Sequence, residues 1–138
     1  KRQVINYARE NFVEQVRDIT QGRGVDVVFD SVGASTFYQS IQSLKKYGLM
    51  VSYGNASGKV SAFDLGLLSG HLFITRPTLW SYVATRKELE VTFGELLQLV
   101  MLNKIRIPIY QKKPLQDVVT LHKLMEERRT TGCSILTV

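Results

Sequence analysis

Two short segments of the chain, residues 30–33 and residues 52–55, combine small residues with groups that can bind a polar ligand. Each follows an apolar run typical of a buried strand, and ligands of open parallel sheets bind beyond the carboxyl ends of the strands. We therefore expect the backbone amides of Val32 and Gly33 to meet a polar ligand, and the Ser31 hydroxyl can donate or accept a hydrogen bond there. The alternative is that the glycines serve only to turn the chain.

Asp30 is the carboxylate at these strand ends, and two interpretations of it stay open. We favour acceptance of amide hydrogens at a neighbouring turn over general-base catalysis. His71 and His122 lie in different predicted elements, and no carboxylate is spaced to orient either ring. The single cysteine, Cys133, excludes an internal disulfide and is predicted to be a small buried strand residue, because it opens an apolar segment. We assign no catalytic residue and no metal ligand.

The apolar pattern of the first half predicts alternating strands and helices. Strands are expected at residues 4–7, 25–29, 49–51 and 72–75, with one helix from Asn11 to Gly22 or Gly24 and another from Ser35 or Thr36 to about Lys46. This spacing favours right-handed βαβ units in a parallel sheet. Residues 25–29 are mostly apolar, which is typical of a strand covered on both faces. The strand at residues 72–75 comes last, at an edge, and apolar edge strands often pair with another subunit.

The second half predicts a long helix and a different arrangement. Thr85 and Glu88 have capping-box spacing at the start of this helix, and Asn103 is expected to end it. Its apolar stripe consists of Leu89, Phe93, Leu96, Leu97 and Val100. A half-exposed strand over residues 105–110, a helix after Pro114 and a strand over residues 133–138 follow. These last three elements break the βαβ rhythm, so we expect them in a different layer or lobe.

The composition limits the partners. Eighteen basic and twelve acidic residues give a net charge of +6, which favours an anionic partner. The basic residues are scattered, however, so a solvated basic surface is the favoured interpretation, and no aromatic and basic motif for nucleic acid is visible. No apolar stretch approaches the roughly 20 residues of a membrane span, and no signal peptide is visible. We therefore predict a cytoplasmic protein with no membrane partner.

Tyr7 and Arg128 are further candidates for a dinucleotide site. The strand at residues 4–7 would be the third strand of a complete dinucleotide-binding fold, and a tyrosine just past that strand lies where the adenosine ribose reaches. An arginine can bind phosphate through its fork of donors. The alternative for both is plain surface exposure. The sequence contains no Gly-x-Gly-x-x-Gly turn before its first strands, so we expect it to hold only part of a nucleotide site.

Together these segments resemble the zinc-independent quinone oxidoreductase branch of the medium-chain dehydrogenase/reductase superfamily, the zeta-crystallin-like NADPH:quinone reductases. The matching stretches run in order over essentially the whole chain, at residues 4–7, 24–33, 48–58, 75–78, 85–89 and 130–132. The resemblance implies the C-terminal half of a Rossmann-type parallel sheet in residues 1–103. It implies that residues 104–138 are the terminal strands and helix that return to a GroES-like catalytic domain. One departure is that residues 67–73 are about two residues shorter than the usual lead-in to the edge strand.

The resemblance also implies roles for individual residues around NADPH. Tyr7 would stack near the adenine ribose and help to hold the 2′-phosphate, and Ser31 and Val32 would lie along the dinucleotide. The nicotinamide half would face three residues, Tyr53, Gly54 and Asn55. Arg128 would reach the cofactor from the terminal lobe. A homodimer is expected through the edge strand at residues 72–75.

The function implied by the resemblance is that of a fragment of an NADPH-dependent oxidoreductase, which transfers a hydride to quinones or related conjugated carbonyls. We expect little turnover from these residues alone, because the pyrophosphate turn is absent. Two alternatives stay open: a non-catalytic, crystallin-like protein that binds NADPH or RNA, and an enoyl or alkenal reductase of the same superfamily.

Overall fold

The structure is a computed structural model that describes residues 3–138. The chain divides into two compact units, the first ending at Ser81 and the second formed by Tyr82–Val138. The boundary predicted after residue 103 is of a different kind. It separates the segment assigned to a Rossmann-type domain from the segment assigned to a GroES-like domain. That assignment stays a prediction.

The first unit contains a parallel sheet, as predicted. Its elements are α1 (Phe12–Ile19), β1 (Val25–Asp30), α2 (Phe37–Gln42), β2 (Leu44–Ser52), a 3₁₀ turn (Leu65–Leu68) and β3 (Phe73–Thr75), and the one-turn helix α3 (Leu79–Tyr82) follows at the boundary. The strand order is β1-β2-β3 with both pairings parallel, so β3 lies at an edge as expected.

The predicted strand at residues 4–7 is wrong. Residues 3–6 have no regular structure, and a turn begins at Tyr7. The Asn6 side chain accepts a hydrogen bond from the Ala8 amide at 3.2 Å, and the Asn6 carbonyl accepts from the amides of Arg9 and Glu10. Asparagine therefore offers this backbone a local turn that competes with strand pairing.

α1 begins where predicted, with a modified cap. Asn11 Oδ1 accepts from the Val13 amide at 3.1 Å, and Asn11 Nδ2 donates to Glu14 Oε1 at 2.8 Å. The glutamate thus bonds the cap side chain rather than the cap backbone. At the other end, Gln21 has a φ of +54° and the Gly22 amide donates to the Arg17 carbonyl, which is a Schellman ending with glutamine in the left-handed position.

α2 is shorter than predicted and β2 is longer. The Val25 amide donates to the Ser43 carbonyl at 2.9 Å, and Val25 pairs with Leu44, so strand pairing replaces the last helical turn that the sequence suggests. The core of this unit lies where α2 meets the sheet, at Phe37, Ile41, Leu44 and Met50.

β1 is covered less completely than its apolar sequence predicts. Val25 and Val28 pack against the core, whereas 40% of Val27 and 70% of Phe29 is exposed. Within residues 3–138, β1 is the second edge of the sheet. The prediction of a strand covered on both faces is therefore wrong for the described residues, because the side chains of Val27 and Phe29 remain exposed.

The second unit begins with the predicted capping box. Thr85 Oγ1 accepts from the Glu88 amide at 3.2 Å, and Glu88 Oε2 accepts from the Thr85 amide at 2.8 Å, at the start of α4 (Arg86–Met101). α4 is the longest helix, and Asn103 ends it with a φ of +54°. The predicted apolar stripe is present, but α4 contains no buried residue.

The last elements are β4 (Ile109–Pro114), a 3₁₀ turn (Leu115–Asp117), α5 (Val118–Glu126) and β5 (Cys133–Thr137). β4 and β5 pair in parallel as a separate two-stranded sheet, so this segment is itself a βαβ unit and the predicted break in that rhythm is wrong. The strand begins at Ile109 rather than 105 because its pairing with β5 starts opposite Cys133.

Cys133 lies in a strand as predicted, but it is exposed rather than buried. Among the helices described, none is long and apolar enough to cross a membrane.

The capping box gives a test of α4. Replacing Thr85 by Ala should lower the free energy of unfolding by about 1 kcal/mol, because the Glu88 amide loses its acceptor. Thr92→Ala in the exposed middle of α4 is the matched control and should be neutral or slightly stabilising, since alanine is the better helix former. Urea unfolding followed by circular dichroism measures both variants, and equal losses would contradict a capping role for Thr85.

Candidate functional site

The carboxylate of Asp30 organises the end of β1. The residue is only 4% exposed, and its Oδ1 accepts from the amides of Val32 at 2.7 Å and Gly33 at 2.9 Å. Its Oδ2 accepts from the hydroxyls of Thr36 and Ser40, both at 2.7 Å. Burial alone raises the pKa of Asp30, but the four hydrogen bonds outweigh burial and hold that pKa below its usual value.

This arrangement decides between the two interpretations of Asp30. The carboxylate accepts amide hydrogens at a turn, which is the favoured structural role. It also corrects the expectation that the amides of Val32 and Gly33 meet a ligand, because both donate to Asp30. Thr36 sits at the N-cap position of α2, yet its hydroxyl bonds Asp30 rather than a helix amide.

The chain segments that follow β1 and β2, residues 31–36 and 53–58, form a single hydrogen-bonded structure that we call the exit loops. The Ser57 amide donates to the Val32 carbonyl at 2.7 Å, and the Ala34 amide donates to the Gly58 carbonyl at 3.1 Å. The Ser57 hydroxyl bonds in both directions: it donates to the Val32 carbonyl at 2.8 Å and accepts from the Ser35 amide at 3.0 Å. Each loop therefore satisfies backbone groups of the other.

Two glycines allow this close contact. A Cβ on Gly54 would lie 2.1 Å from the Ser31 carbonyl oxygen, and a Cβ on Gly33 would lie 2.7 Å from the Gly58 carbonyl oxygen. Gly33 also has a φ of +90°, which side chains rarely allow. Loop packing thus accounts for both glycines without a ligand, and the role of Gly54 at a cofactor stays a prediction.

Three of the predicted site residues share one groove. Tyr7, Ser31 and Val32 line a cavity of about 290 Å³ together with apolar side chains that include Phe12 and Phe29. Tyr7 is about half exposed, and we call this cavity the first groove. Tyr7 lies in a turn rather than just past a strand as predicted, and it shares this groove with residues at the end of β1.

Asn55 belongs to a second set of hydrogen-bonded residues, at the end of β2. This set includes Arg76, an arginine to which the sequence assigned no role. Arg76 follows β3 and donates from Nη1 to the Ser52 carbonyl at 2.7 Å. With the Asn55 amide oriented so that its oxygen faces Arg76, that oxygen accepts from Nη2 at 3.1 Å and the amide nitrogen donates to the Gly54 carbonyl at 2.9 Å. Two signals in the sequence pointed to Arg76: it follows a predicted strand directly, and it lies in the stretch 75–78 that carries the family resemblance.

Arg76 and Asn55 line a second groove of about 440 Å³. Its other lining residues are Phe37, Ser52, Lys59, Val60, Ser61, Phe63, Ile74 and Thr75. The groove therefore combines an apolar wall with two basic side chains. Tyr53 is exposed and lines neither groove.

Arg128 lies in the second unit. It has a φ of +56° and ends α5, where its amide donates to the Met125 carbonyl at 3.0 Å. Its side chain makes no hydrogen bond or ion pair within residues 3–138. The predicted contact of Arg128 with a cofactor stays a prediction.

The two histidines play no part in a metal cluster within the described part of the chain, where no three potential metal-ligating side chains come together. The His71 ring stacks on Tyr47 with centroids 5.3 Å apart. His122 lies in α5.

The family model described as "Zinc-binding dehydrogenase" matches residues 2–136, which is nearly the whole chain. The chain belongs to this family. Quinone oxidoreductase 1 of Escherichia coli is 44% identical over 97% of the chain, and a 2-haloacrylate reductase of Burkholderia is 39% identical over 96% of it. The crystal structure of Escherichia coli quinone oxidoreductase complexed with NADPH matches 99% of the chain with a TM-score of 0.91 and 44% identity.

These matches confirm the resemblance to quinone oxidoreductases and the Rossmann-type character of the sheet. The chain spans about 42% of the length of Escherichia coli quinone oxidoreductase 1 and 40% of the 2-haloacrylate reductase. The family model covers residues 2–136, so both the β1-β2-β3 sheet and the β4-β5 sheet lie within the matched part of the chain.

The buried carboxylate should make stability depend on pH. Because the folded-state pKa of Asp30 is lowered, its contribution is fully present above the unfolded-state pKa of about 3.9 and is lost as pH falls through the folded-state value. Asp30→Asn should lower the free energy of unfolding by about 2 kcal/mol at pH 7, and the difference from the parent chain should shrink below pH 4. Asp18→Asn, at an exposed helix position, should have little effect at pH 7. Unfolding measured from pH 7 to pH 3 tests this, and a difference that grows in acid would contradict it.

A matched pair of glycine substitutions tests the contact between the exit loops. Gly54→Ala should cost at least about 2 kcal/mol of stability, because its Cβ would overlap the Ser31 carbonyl oxygen. Gly94→Ala in α4, where a Cβ meets nothing within 4 Å, should stabilise the chain by up to about 1 kcal/mol. Denaturant unfolding compares the two, and a Gly54→Ala variant as stable as the parent would show that the loops separate readily.

Proposed function

We propose that this chain forms part of the cofactor site of an NADPH-dependent quinone oxidoreductase. The observation that carries the proposal is the likeness to the Escherichia coli quinone oxidoreductase that was crystallised with NADPH, at 44% identity and a TM-score of 0.91. NADPH, when bound, supplies the hydride that reduces a quinone or a related conjugated carbonyl. The protein contributes orientation and electrostatics.

The first groove suits the adenosine part of a dinucleotide. It offers the flat ring and hydroxyl of Tyr7, the hydroxyl of Ser31 and apolar walls, which can contact a base and hydrogen-bond a ribose. In this proposal Tyr7 lies near the adenine ribose and the 2′-phosphate, while Ser31 and Val32 line the path of the dinucleotide.

The nicotinamide half is assigned to the end of β2. Asn55 carries an amide that Arg76 and the Gly54 carbonyl orient, so it is held ready for a polar partner. Tyr53 and Gly54 neighbour it, and Arg128 is proposed to contact the cofactor from the segment 104–138. Residues 72–75 are proposed to pair with a second copy, since β3 is an edge of the sheet within residues 3–138.

The pyrophosphate is the part of NADPH that these residues suit least. Dinucleotide folds hold it with a glycine-rich turn and the N-terminus of a helix, and the sequence contains no Gly-x-Gly-x-x-Gly. The amides of Val32 and Gly33, which could otherwise meet an anion, donate to Asp30. We therefore infer that the chain by itself binds NADPH weakly and turns over little substrate.

A second candidate reaction is reduction of a carbon–carbon double bond conjugated to a carbonyl or carboxylate. The 39% identity to a 2-haloacrylate reductase favours it, because a haloacrylate is an alkene conjugated to a carboxylate. Both candidates use hydride transfer from the cofactor and differ in the acceptor. Independence of zinc and a cytoplasmic location stay predictions.

Titration of the chain with NADPH tests the proposal. Chemical shift changes in nuclear magnetic resonance spectra should concentrate at residues 7, 31–32 and 53–55, and Tyr7→Ala should weaken binding about tenfold if the ring stacks on the cofactor. Tyr47→Ala is the control, because Tyr47 is also exposed but lines neither groove. Oxidation of NADPH by a naphthoquinone should be near the uncatalysed rate. Equal effects of the two substitutions would contradict the assignment of Tyr7 to the cofactor site. Rapid turnover by this chain would contradict only the inference that it turns over little substrate by itself.

A further inference from the structure

The second groove has an unusual pairing of an apolar wall with positive charge. The rings of Phe37 and Phe63 lie with centroids 5.0 Å apart, and Val60 and Ile74 extend the same wall. A cavity of about 440 Å³ is large enough for a small organic molecule. The wall therefore suits a flat carbon skeleton.

The charge in this groove has one sign. Arg76 and Lys59 line it, and no aspartate or glutamate does. The ion pairs found within residues 3–138 involve other cations, so neither of these two side chains is neutralised by a carboxylate there. The hydrogen bonds of Arg76 go to the Ser52 carbonyl and the Asn55 amide, which orient the guanidinium without cancelling its charge.

Both Lys59 and Arg76 are exposed, so their attraction for an anion is modest and declines with salt. An apolar wall beside them excludes water from one side and strengthens that attraction. An uncharged ligand would gain the contact with the wall but not the attraction of the two cations. We propose that the second groove binds a small planar carboxylic acid, an aryl or alkenyl acid, with its carboxylate against Arg76 and Lys59 and its carbon skeleton against Phe37 and Phe63. If the acid is the hydride acceptor of the reaction, the inference rests on the proposed function. The binding of the acid to the groove does not itself need NADPH.

Matched ligands test the charge requirement. Cinnamate and cinnamamide have nearly the same shape, and only the first carries a negative charge. In calorimetric titrations of this chain at low salt, cinnamate should bind about fivefold more tightly than the amide. This preference for cinnamate over cinnamamide should decline as sodium chloride screens the cations. Equal affinities for the acid and the amide would overturn the proposal.

Matched variants test the location. Lys59→Gln should reduce the preference for cinnamate over cinnamamide from about fivefold to about twofold, because Arg76 still faces the carboxylate. Binding of the amide should be unaffected, since Lys59 takes part in none of the ion pairs within residues 3–138. Lys46 is also exposed and lies outside the second groove, so Lys46→Gln should change neither affinity. Arg76→Lys keeps the positive charge but loses the forked hydrogen-bond donors of the guanidinium. If the groove recognises charge alone, this variant should weaken cinnamate binding less than Lys59→Gln does. Equal effects of Lys59→Gln and Lys46→Gln would place the acid elsewhere and overturn the proposal.

The same titrations with NADPH alone separate this inference from the proposed function. Cinnamate binding that depends on Lys59 in a chain that shows no affinity for NADPH would support the acid site and oppose the cofactor assignment. NADPH binding without any preference for cinnamate over cinnamamide would do the reverse.

Discussion

The buried carboxylate of Asp30 is the interaction on which the rest of the first unit depends. One oxygen holds the turn after β1 through two amides, and the other holds the start of α2 through Thr36 and Ser40. A buried charge is costly unless it is fully hydrogen-bonded, and four donors meet that condition here. The position of Phe37, the largest buried side chain of the core, follows from this anchoring of α2.

The anchored turn also determines which groups remain for a ligand. The Val32 and Ser31 carbonyls bond the second exit loop, and the Val32 and Gly33 amides bond Asp30. Backbone groups at the strand ends are therefore largely engaged within the protein, and side chains such as Tyr7, Ser31, Asn55 and Arg76 line the two grooves. A ligand in either groove would therefore meet side chains rather than a backbone cradle.

Local signals predicted some elements well and others poorly. The caps at Asn11 and Thr85 and the left-handed ending at Asn103 were predictable, because each depends on groups within a few residues. The early end of α2 was not, because the pairing of Val25 with Leu44 joins residues far apart in sequence. The parallel pairing of β4 with β5 escaped prediction for the same reason.

The sequence by itself determined the family, the parallel sheet and the strand ends as the place to look for a site, since these follow from periodicity, glycine positions and ordered motifs. Tertiary structure alone decided that Asp30 consumes the amides expected to meet a ligand, that Gly54 is needed for a loop contact, and that Arg76 joins Asn55 in a basic groove. The physical reason is that hydrogen-bond competition and steric contact are settled between segments that only folding brings together. A residue type shows what a group can bind, and its neighbours in the fold decide what it does bind.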